Sequence, residues 1–546
     1  MSDLYRAIVR FNGLVKYGKT VLAPTTAMRN WQSAMFFSLA NGHFDLTQMK
    51  KSISAFREQV SQKATGQDLK YLRHLKQLGV VYDTPYAGEM ARLMEDARME
   101  ELLSSDKGDA VRWFRKANQL AQGFYTFGDD FWKIIGFENE KAGLMKAGLS
   151  LQEAEIEAAK RIRDTYPTYS MVGRGVQWLS RFPLAGTFVS FPAEIIRTSG
   201  NMLRTVAADL KSDNPKLREL GMKRAAGMVF VSAAFYSLAA LSMAMAGVGD
   251  DEDEAIRDLA PEWQKNSTFL YLGRDEKGNL RYFDMSFLDP YGYWKRPITA
   301  MLRNQPWEDS LASGLRGMLE PFIGADIAAK AIFEAVANQK ENGGKVYKEK
   351  DGAINQTIDV ADHLRKALQP GVVGNVERLV KAAGDVRKSS GQPYSMEDEL
   401  VALVGWRATT IDPKTALYYR SFEFTDAVAE ARKTITETLR DANEITPEDI
   451  ADAKARAQAK QEQAFKEMHR LVSAAESAGM SKMQIVQTLR LSNISQANIG
   501  SLMRGETPDV SITPQLAARA VRQASQMRGP EYAAEVFDRY RQARAN

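Results

Sequence analysis

Apolar residues recur at three- and four-residue spacing along most of the chain, with Ala, Leu, Glu, Lys, Gln, Arg and Met filling the positions between them. That period predicts helix almost throughout. Helix starts are legible. Ser150-Leu151-Gln152-Glu153 has the form of a capping box. Thr446-Pro447-Glu448-Asp449 offers a Thr cap, Pro in the first turn and acids behind it. One stretch departs from the helical period. Phe269–Gly273 and Leu280–Met285 are aromatic and apolar, and flank a turn carrying Gly278 and Asn279. This predicts a β-hairpin at about 269–285, which must pack on something to persist. The fold class expected is mainly α: an elongated multi-helix assembly with one small hairpin. No repeat of fixed period is visible.

Two apolar stretches stand out. Ala225–Gly249 carries no formal charge and exceeds the roughly 20 residues that a spanning helix requires. Arg204, Lys211, Lys216, Arg218, Lys223 and Arg224 precede it, and Asp250–Glu254 is wholly acidic. An inserted helix would keep its basic end cytoplasmic. Its Ala, Ser and Gly content weakens insertion and equally suits a packed core helix. The residues expected to meet lipid are Ala225, Met228, Phe230, Phe235, Leu238, Leu241 and Met245. The second stretch, within Ser180–Asn201, is interrupted by Pro183, Gly186 and Pro192, and reads as kinked interfacial or buried structure.

Soft boundaries fall at Asn338–Gly352 and Arg387–Tyr394, both rich in turn-forming residues. They suggest an N-terminal helical region over 1–145 and a central one over 146–337 holding the apolar segment and the hairpin. A helical region over 353–386 and a C-terminal arm over 395–546 follow. From Asp426 onward the chain is Ala-rich and polar, and Ala451–Lys466 has little apolar content. Such helices bury little area alone, so the arm is expected to need a partner to settle.

Composition narrows the chemistry. The 546 residues suffice for several domains at about 150 residues each, and a 44% hydrophobic, 26% charged balance is globular. With no cysteine there is no disulfide framework, thiolate metal site or cysteine nucleophile. The four histidines, His43, His74, His363 and His469, form no ligand pair at helical spacing. A net charge of +5 does not by itself imply nucleic-acid binding. Met1–Phe11 alternates apolar and charged residues, so no secretion signal is expected.

Two strings resemble binding motifs. Gly13–Thr20 matches the phosphate-loop pattern G-x-x-x-x-G-K-[ST]. Leu4–Phe11 before it has helical spacing and charges, and Pro24 follows where the phosphate-binding helix should run. Gly79–Asp83 is the only short strand on offer for a Mg-binding partner motif. The string reads better as a helix and turn, and an NTPase is the lesser alternative. Ser481–Gly505 reads as two short amphipathic helices around Leu491-Ser492-Asn493. That is the helix-turn-helix plan, with Gln496, Asn498 and Arg504 as candidate nucleic-acid contacts. Any structural helical hairpin gives the same pattern. No catalytic constellation, cofactor motif or metal motif stands out.

Several phrases together resemble a known group. They are Tyr17–Asn30, Phe36–Gly42, Phe188–Glu194, Ser212-Asp213-Asn214-Pro215, Gly405-Trp406-Arg407 and Asp412-Pro413. These short phrases, spread over most of residues 1–420, resemble the helical C-terminal regions of large polyvalent proteins of tailed phages, and internal virion proteins ejected with the DNA. The resemblance implies a non-enzymatic virion protein with no catalytic residue to carry over, and no cofactor. It implies a location inside the capsid, then in the host envelope after ejection. Partners would be further copies of the chain, other ejection proteins and the portal, viral DNA without sequence preference, and the host inner membrane. Larger members add lyase or polymerase domains; neither has a motif here.

Overall fold

The structure, a computed structural model, describes residues 15, 17–19, 21–65, 70–81, 109–168, 171, 173, 176, 190–261, 264–265, 267–289, 291, 327–340, 345–348, 351–384, 386, 394–441, 447–510 and 514–545. Helix dominates, with one small antiparallel sheet in the order β1-β2-β3. This is the mainly α class that the apolar period predicts.

The first core is built by α1 (Pro24–Ala40), α2 (Met49–Thr65), α3 (Lys70–Gln77), α4 (Asp109–Lys146), α5 (Leu151–Thr165) and α6 (Ser190–Leu210). Pro24 opens α1, where its missing N–H leaves no bond unmade. The capping box at α5 forms as read: Ser150 Oγ accepts from Glu153 N, and Ser150 N donates to the Glu153 carboxylate at 3.0 Å. Phe37, Trp132, Ile135, Phe137, Ile162 and Tyr166 fill the centre. The boundary drawn at 145/146 falls inside this core, because α5 lays Ala154, Ala158 and Ala159 against α4. Of the broken stretch 180–201, residues 180–189 lie outside the described residues. Its remainder opens α6, with Pro192 in the first turn, where it breaks no helical bond.

Next come α7 (Pro215–Ala246) and α8 (Asp250–Leu259), then the hairpin β1 (Phe269–Arg274) and β2 (Leu280–Asp284). Phe269 pairs with Asp284 and Tyr271 with Tyr282. The turn residue Gly278 takes φ 84°, the left-handed conformation that glycine adopts without strain. Asp275 Oδ1 accepts from Lys277 N and Asn279 N at 2.9 and 2.8 Å. Within the hairpin Phe269 stacks on Tyr282, centroids 4.0 Å apart, and α8 supports it from outside with Arg257 over Phe269.

Beyond α9 (Ile327–Ala337), α10 (Ala353–Leu368), α11 (Gly371–Ala383) and α12 (Met396–Leu403) lies β3 (Ala408–Thr410), a strand the pattern does not predict. It adds antiparallel to β2, with Thr409 opposite Tyr282. Three residues are too few for an alternation to show. The segment that supplies it is not separate from the N-terminal region. Val372 N donates to Leu22 O at 2.9 Å, Thr25 Oγ1 to Ala402 O at 2.9 Å, and Arg29 Nε to Gly405 O at 2.7 Å. Trp406 Nε1 donates to Gln32 Oε1 at 2.9 Å. The region 353–386 and the start of the presumed arm are therefore packed on α1, so the proposed four-part division does not follow the packing.

The chain ends in α13 (Pro413–Asp441), α14 (Pro447–Ser477), α15 (Lys482–Leu491), α16 (Gln496–Arg504), α17 (Pro514–Arg528) and α18 (Pro530–Ala545). The expectation of an arm in need of a partner is corrected here. α13 and α14 pair along their length, and Phe424 meets Phe465 edge-on at 5.0 Å. Phe424, Phe465, Met468 and Leu471 share one core with α8, the sheet, Ile485, Leu489, Ile499 and Leu502. The Ala453 and Ala457 positions, too small to bury much area, are buried because small residues let two helices approach closely. The far end has a slighter core, around Ala457, Ala520, Ala524 and Val536.

Candidate functional site

The segment with the most unusual surroundings is α7. Its limits follow from local chemistry. Asn214 caps it, accepting from Lys216 N at 2.9 Å, and Pro215 occupies the first turn. Gly247 at φ 64° ends it, with Val248 N returning to Met243 O at 2.9 Å.

One side of α7 is fixed tightly. Gly227 lies so close to the end of α1 that a Cβ there would fall 2.3 Å from Leu39 O. Val231 is buried, and Phe235 packs on Phe36 with centroids 4.7 Å apart. Ser242 Oγ accepts from Tyr271 N at 2.9 Å, which ties the far end of α7 to β1. Together with Ala40, Met202, Met285 and Leu288, these residues bridge the two main cores.

Arg224 is the anchor of this side, 1% exposed. It bonds Glu140 of α4 and Asp209 of α6, the latter at 2.9 Å. Arg161 of α5 holds the same Asp209 through two bonds of 2.8 and 2.9 Å. His43 completes the cluster, its Nε2 2.9 Å from Glu140 and its Nδ1 2.8 Å from Tyr166 Oη. A carboxylate only accepts, so Nε2 carries the proton and Nδ1 accepts from the tyrosine hydroxyl. Two guanidinium groups thus face two carboxylates around a neutral imidazole. Burial lowers the His43 pKa, outweighing the opposing pull of Glu140, and Arg224 and Arg161 lower it further. Burial works to raise the Glu140 pKa, but Arg224, His43 and Arg161 together hold it far below the usual carboxylate range.

Both depressions act in one direction. An unfolded chain takes up a proton at His43 near pH 6.5 and at Glu140 near pH 4.5, whereas the folded cluster refuses both until lower pH. This stability is complete above pH 6.5 and is lost as the pH falls below it. The melting temperature is therefore expected to drop between pH 7 and pH 5, and His43→Gln to flatten that part of the profile. An equal slope in wild type and variant would count against the assignment.

Among the described residues the other side of α7 is largely exposed, with Phe230 meeting Phe44 edge-on at a centroid distance of 6.4 Å. Only 17% of its most apolar stretch is buried. Val229 is 67% exposed, Phe230 53%, Leu241 57% and Met245 81%. Of the residues expected to meet lipid, Phe230, Leu238, Leu241 and Met245 are on this outer side, and Ala225 and Met228 are half-buried. Phe235 is a correction: it is buried against Phe36. Arg224 is a second one, since it is spent in the buried cluster, while Lys223 beside it is exposed. The sequence reading missed the outer stripe Met222, Ala226, Val229, Ala233, Tyr236 and Ala240. Its alternating four- and three-residue steps were the available signal.

The other candidates fare differently. α15 and α16 form the short hairpin read at Ser481–Gly505, with Ser481 and Ser495 as caps. Their apolar sides are buried in the second core. Gln496 is exposed and Asn498 half-buried, and Arg504 is exposed in a surface ion pair with Glu506 at 2.7 Å. In the phosphate-loop-like string, Gly13, Leu14, Lys16 and Thr20 lie outside the described residues. Tyr17, Gly18 and Lys19 are helical, Gly18 faces Pro370, and Lys19 Nζ donates to Lys366 O at 3.3 Å. Gly79–Val81 is a turn packed into the first core rather than a strand; Tyr82 and Asp83 lie outside the described residues. Among the described residues, no cluster of His, Asp and Glu suits a metal ion. No family model matches the chain, and no curated protein or solved structure does either.

Proposed function

We propose that this chain is a non-enzymatic, mainly helical phage virion protein that is ejected with the genome and helps to form a conduit for DNA across the host envelope. The sequence resemblance supports the virion setting. One structural observation supports the envelope step: α7 presents an apolar side to the surroundings from Met222 to Met245. Exposed apolar patches of this extent mark partner or membrane contact.

The geometry favours contact in the plane of a bilayer over a span. A spanning helix must surround itself with lipid or protein, and α7 already has one side bound to α1, α6 and β1. Pulling it across a bilayer would break the Arg224 cluster. Lying on the membrane costs none of these contacts. In this reading the outer residues of α7 enter the boundary between headgroups and acyl chains of the host inner membrane.

Flotation of the purified full chain with liposomes of bacterial polar lipid is the direct test. Wild type should co-float. Val229→Glu with Leu241→Glu should reduce co-flotation at least tenfold with unchanged circular dichroism, since both sites are exposed. Wild type that stays at the bottom of the gradient under every lipid composition removes the membrane step. Mass spectrometry of particles before and after DNA release tests the virion setting: the chain should be present in full particles and absent from emptied ones.

A further inference from the structure

We infer that, away from lipid, the outer side of α7 is covered by α7 of a second copy of this chain, paired antiparallel about a two-fold axis near Ala233. The inference rests on the reading of α7 as a contact surface but names a different occupant for the water-soluble state.

Three features carry it. The first is the stripe itself. Met222, Ala226, Val229, Ala233, Tyr236 and Ala240 are spaced as the seam of a two-stranded helix pair, with alanine at every second place. Larger apolar residues, Phe230 and Leu241, flank it and are half exposed. A small-residue centre with bulky margins lets two helices approach closely and still bury apolar area at the edges.

The second is charge. At the N-terminal end of α7, Lys211, Lys216, Arg218 and Lys223 are exposed, and only Glu219 and Asp213 oppose them. Just beyond the C-terminal end, Asp250, Asp251 and Glu254 are exposed and make no ion pair among the described residues. Glu252 is already taken by Arg274 at 2.8 Å. Antiparallel pairing brings each basic end against an acidic one, twice, by symmetry. Parallel pairing would set like charges together.

The third is register. Ala233 lies midway between Met222 and Met245, the limits of the exposed apolar stretch. At about 1.5 Å per residue, Lys216 is roughly 25 Å from Ala233 along the axis. On the other side, α7 ends at Ala246, about 20 Å from Ala233, and Asp250 follows four residues later. A two-fold axis at Ala233 therefore aligns both apolar stripes and both charged ends at once.

The absence of cysteine makes the test clean. Wild-type full chain in detergent-free buffer should have the mass of a dimer by light scattering. Ala233→Cys should form an interchain disulfide under mild oxidation, whereas Gly200→Cys, on α6 and facing open space, should not. Lys211→Glu with Lys216→Glu should be monomeric alone, and so should Asp250→Lys with Glu254→Lys. Mixing the two variants should restore a dimer. A monomeric wild type at tens of micromolar overturns the inference, as does cross-linking of Gly200→Cys as readily as Ala233→Cys. Neither result bears on liposome flotation, so this failure and a failure of the membrane reading are separate outcomes.

Discussion

Arg224→Leu is expected to destabilise the first core by about 3–5 kcal/mol in chemical denaturation. The substitution leaves Glu140 buried with only His43 and the more distant Arg161 at 3.4 Å, and removes one of the two cations on Asp209. Removing Glu140 as well should recover more than half of that loss. In Glu140→Leu with Arg224→Leu, what remains is the doubly bonded Arg161–Asp209 pair, which is neutral, and His43 keeps Tyr166 as a partner. A buried cation and anion removed together leave no uncompensated charge. The two effects are thus strongly non-additive, as groups sharing one network should be. A double variant whose loss equals the sum of the single losses would show that the cluster does not act as a unit.

That cluster is invisible in the sequence for a definable reason. Its members lie at positions 43, 140, 161, 209 and 224, on separate elements, and local spacing carries no information about them. Lys223-Arg224 reads as one basic flank. In the helix the two residues point about 100° apart, which sends Lys223 to solvent and Arg224 into the core. Local features were legible. The Ser150 capping box, the two short helices of Ser481–Gly505 and the 269–285 hairpin all formed within a residue or so of the reading. The hairpin's third strand was not legible, because Ala408-Thr409-Thr410 is too short to show a period. α7 illustrates the limit of amphipathicity. Its uncharged part is apolar on all sides, so the pattern marked an apolar segment over Ala225–Gly249 but neither the helix start at Pro215 nor which side would be buried. The bound side is marked instead by Gly221 and Gly227, whose neighbours approach too closely for a side chain. The post-426 helices failed as an unsettled arm for a related reason. Alanine there was counted for its small area, whereas its effect is to let α13 and α14 pack closely around Phe424 and Phe465.

Gly227→Ala separates two effects of opposite sign. In a helix interior, alanine is favoured over glycine by about 1 kcal/mol. Here the added Cβ would fall 2.3 Å from Leu39 O and 2.9 Å from Ala40 O and Gly42 N. These are backbone atoms at the end of α1, held by Gly42 N donating to Leu39 O at 2.9 Å, and they cannot rotate away. Overpacking against a rigid neighbour costs about 1–3 kcal/mol, and occasionally more. The clash should therefore win, with Gly227→Ala net destabilising and its melting temperature several degrees below wild type. Gly200→Ala on α6 is the matched control: nothing lies within 4 Å of its added Cβ, so only the helix preference acts and the variant should be neutral or stabilised. A Gly227→Ala variant as stable as Gly200→Ala would mean that α7 does not sit against α1 at this depth. The side of α7 assigned to lipid and to a second copy would then need to be drawn again.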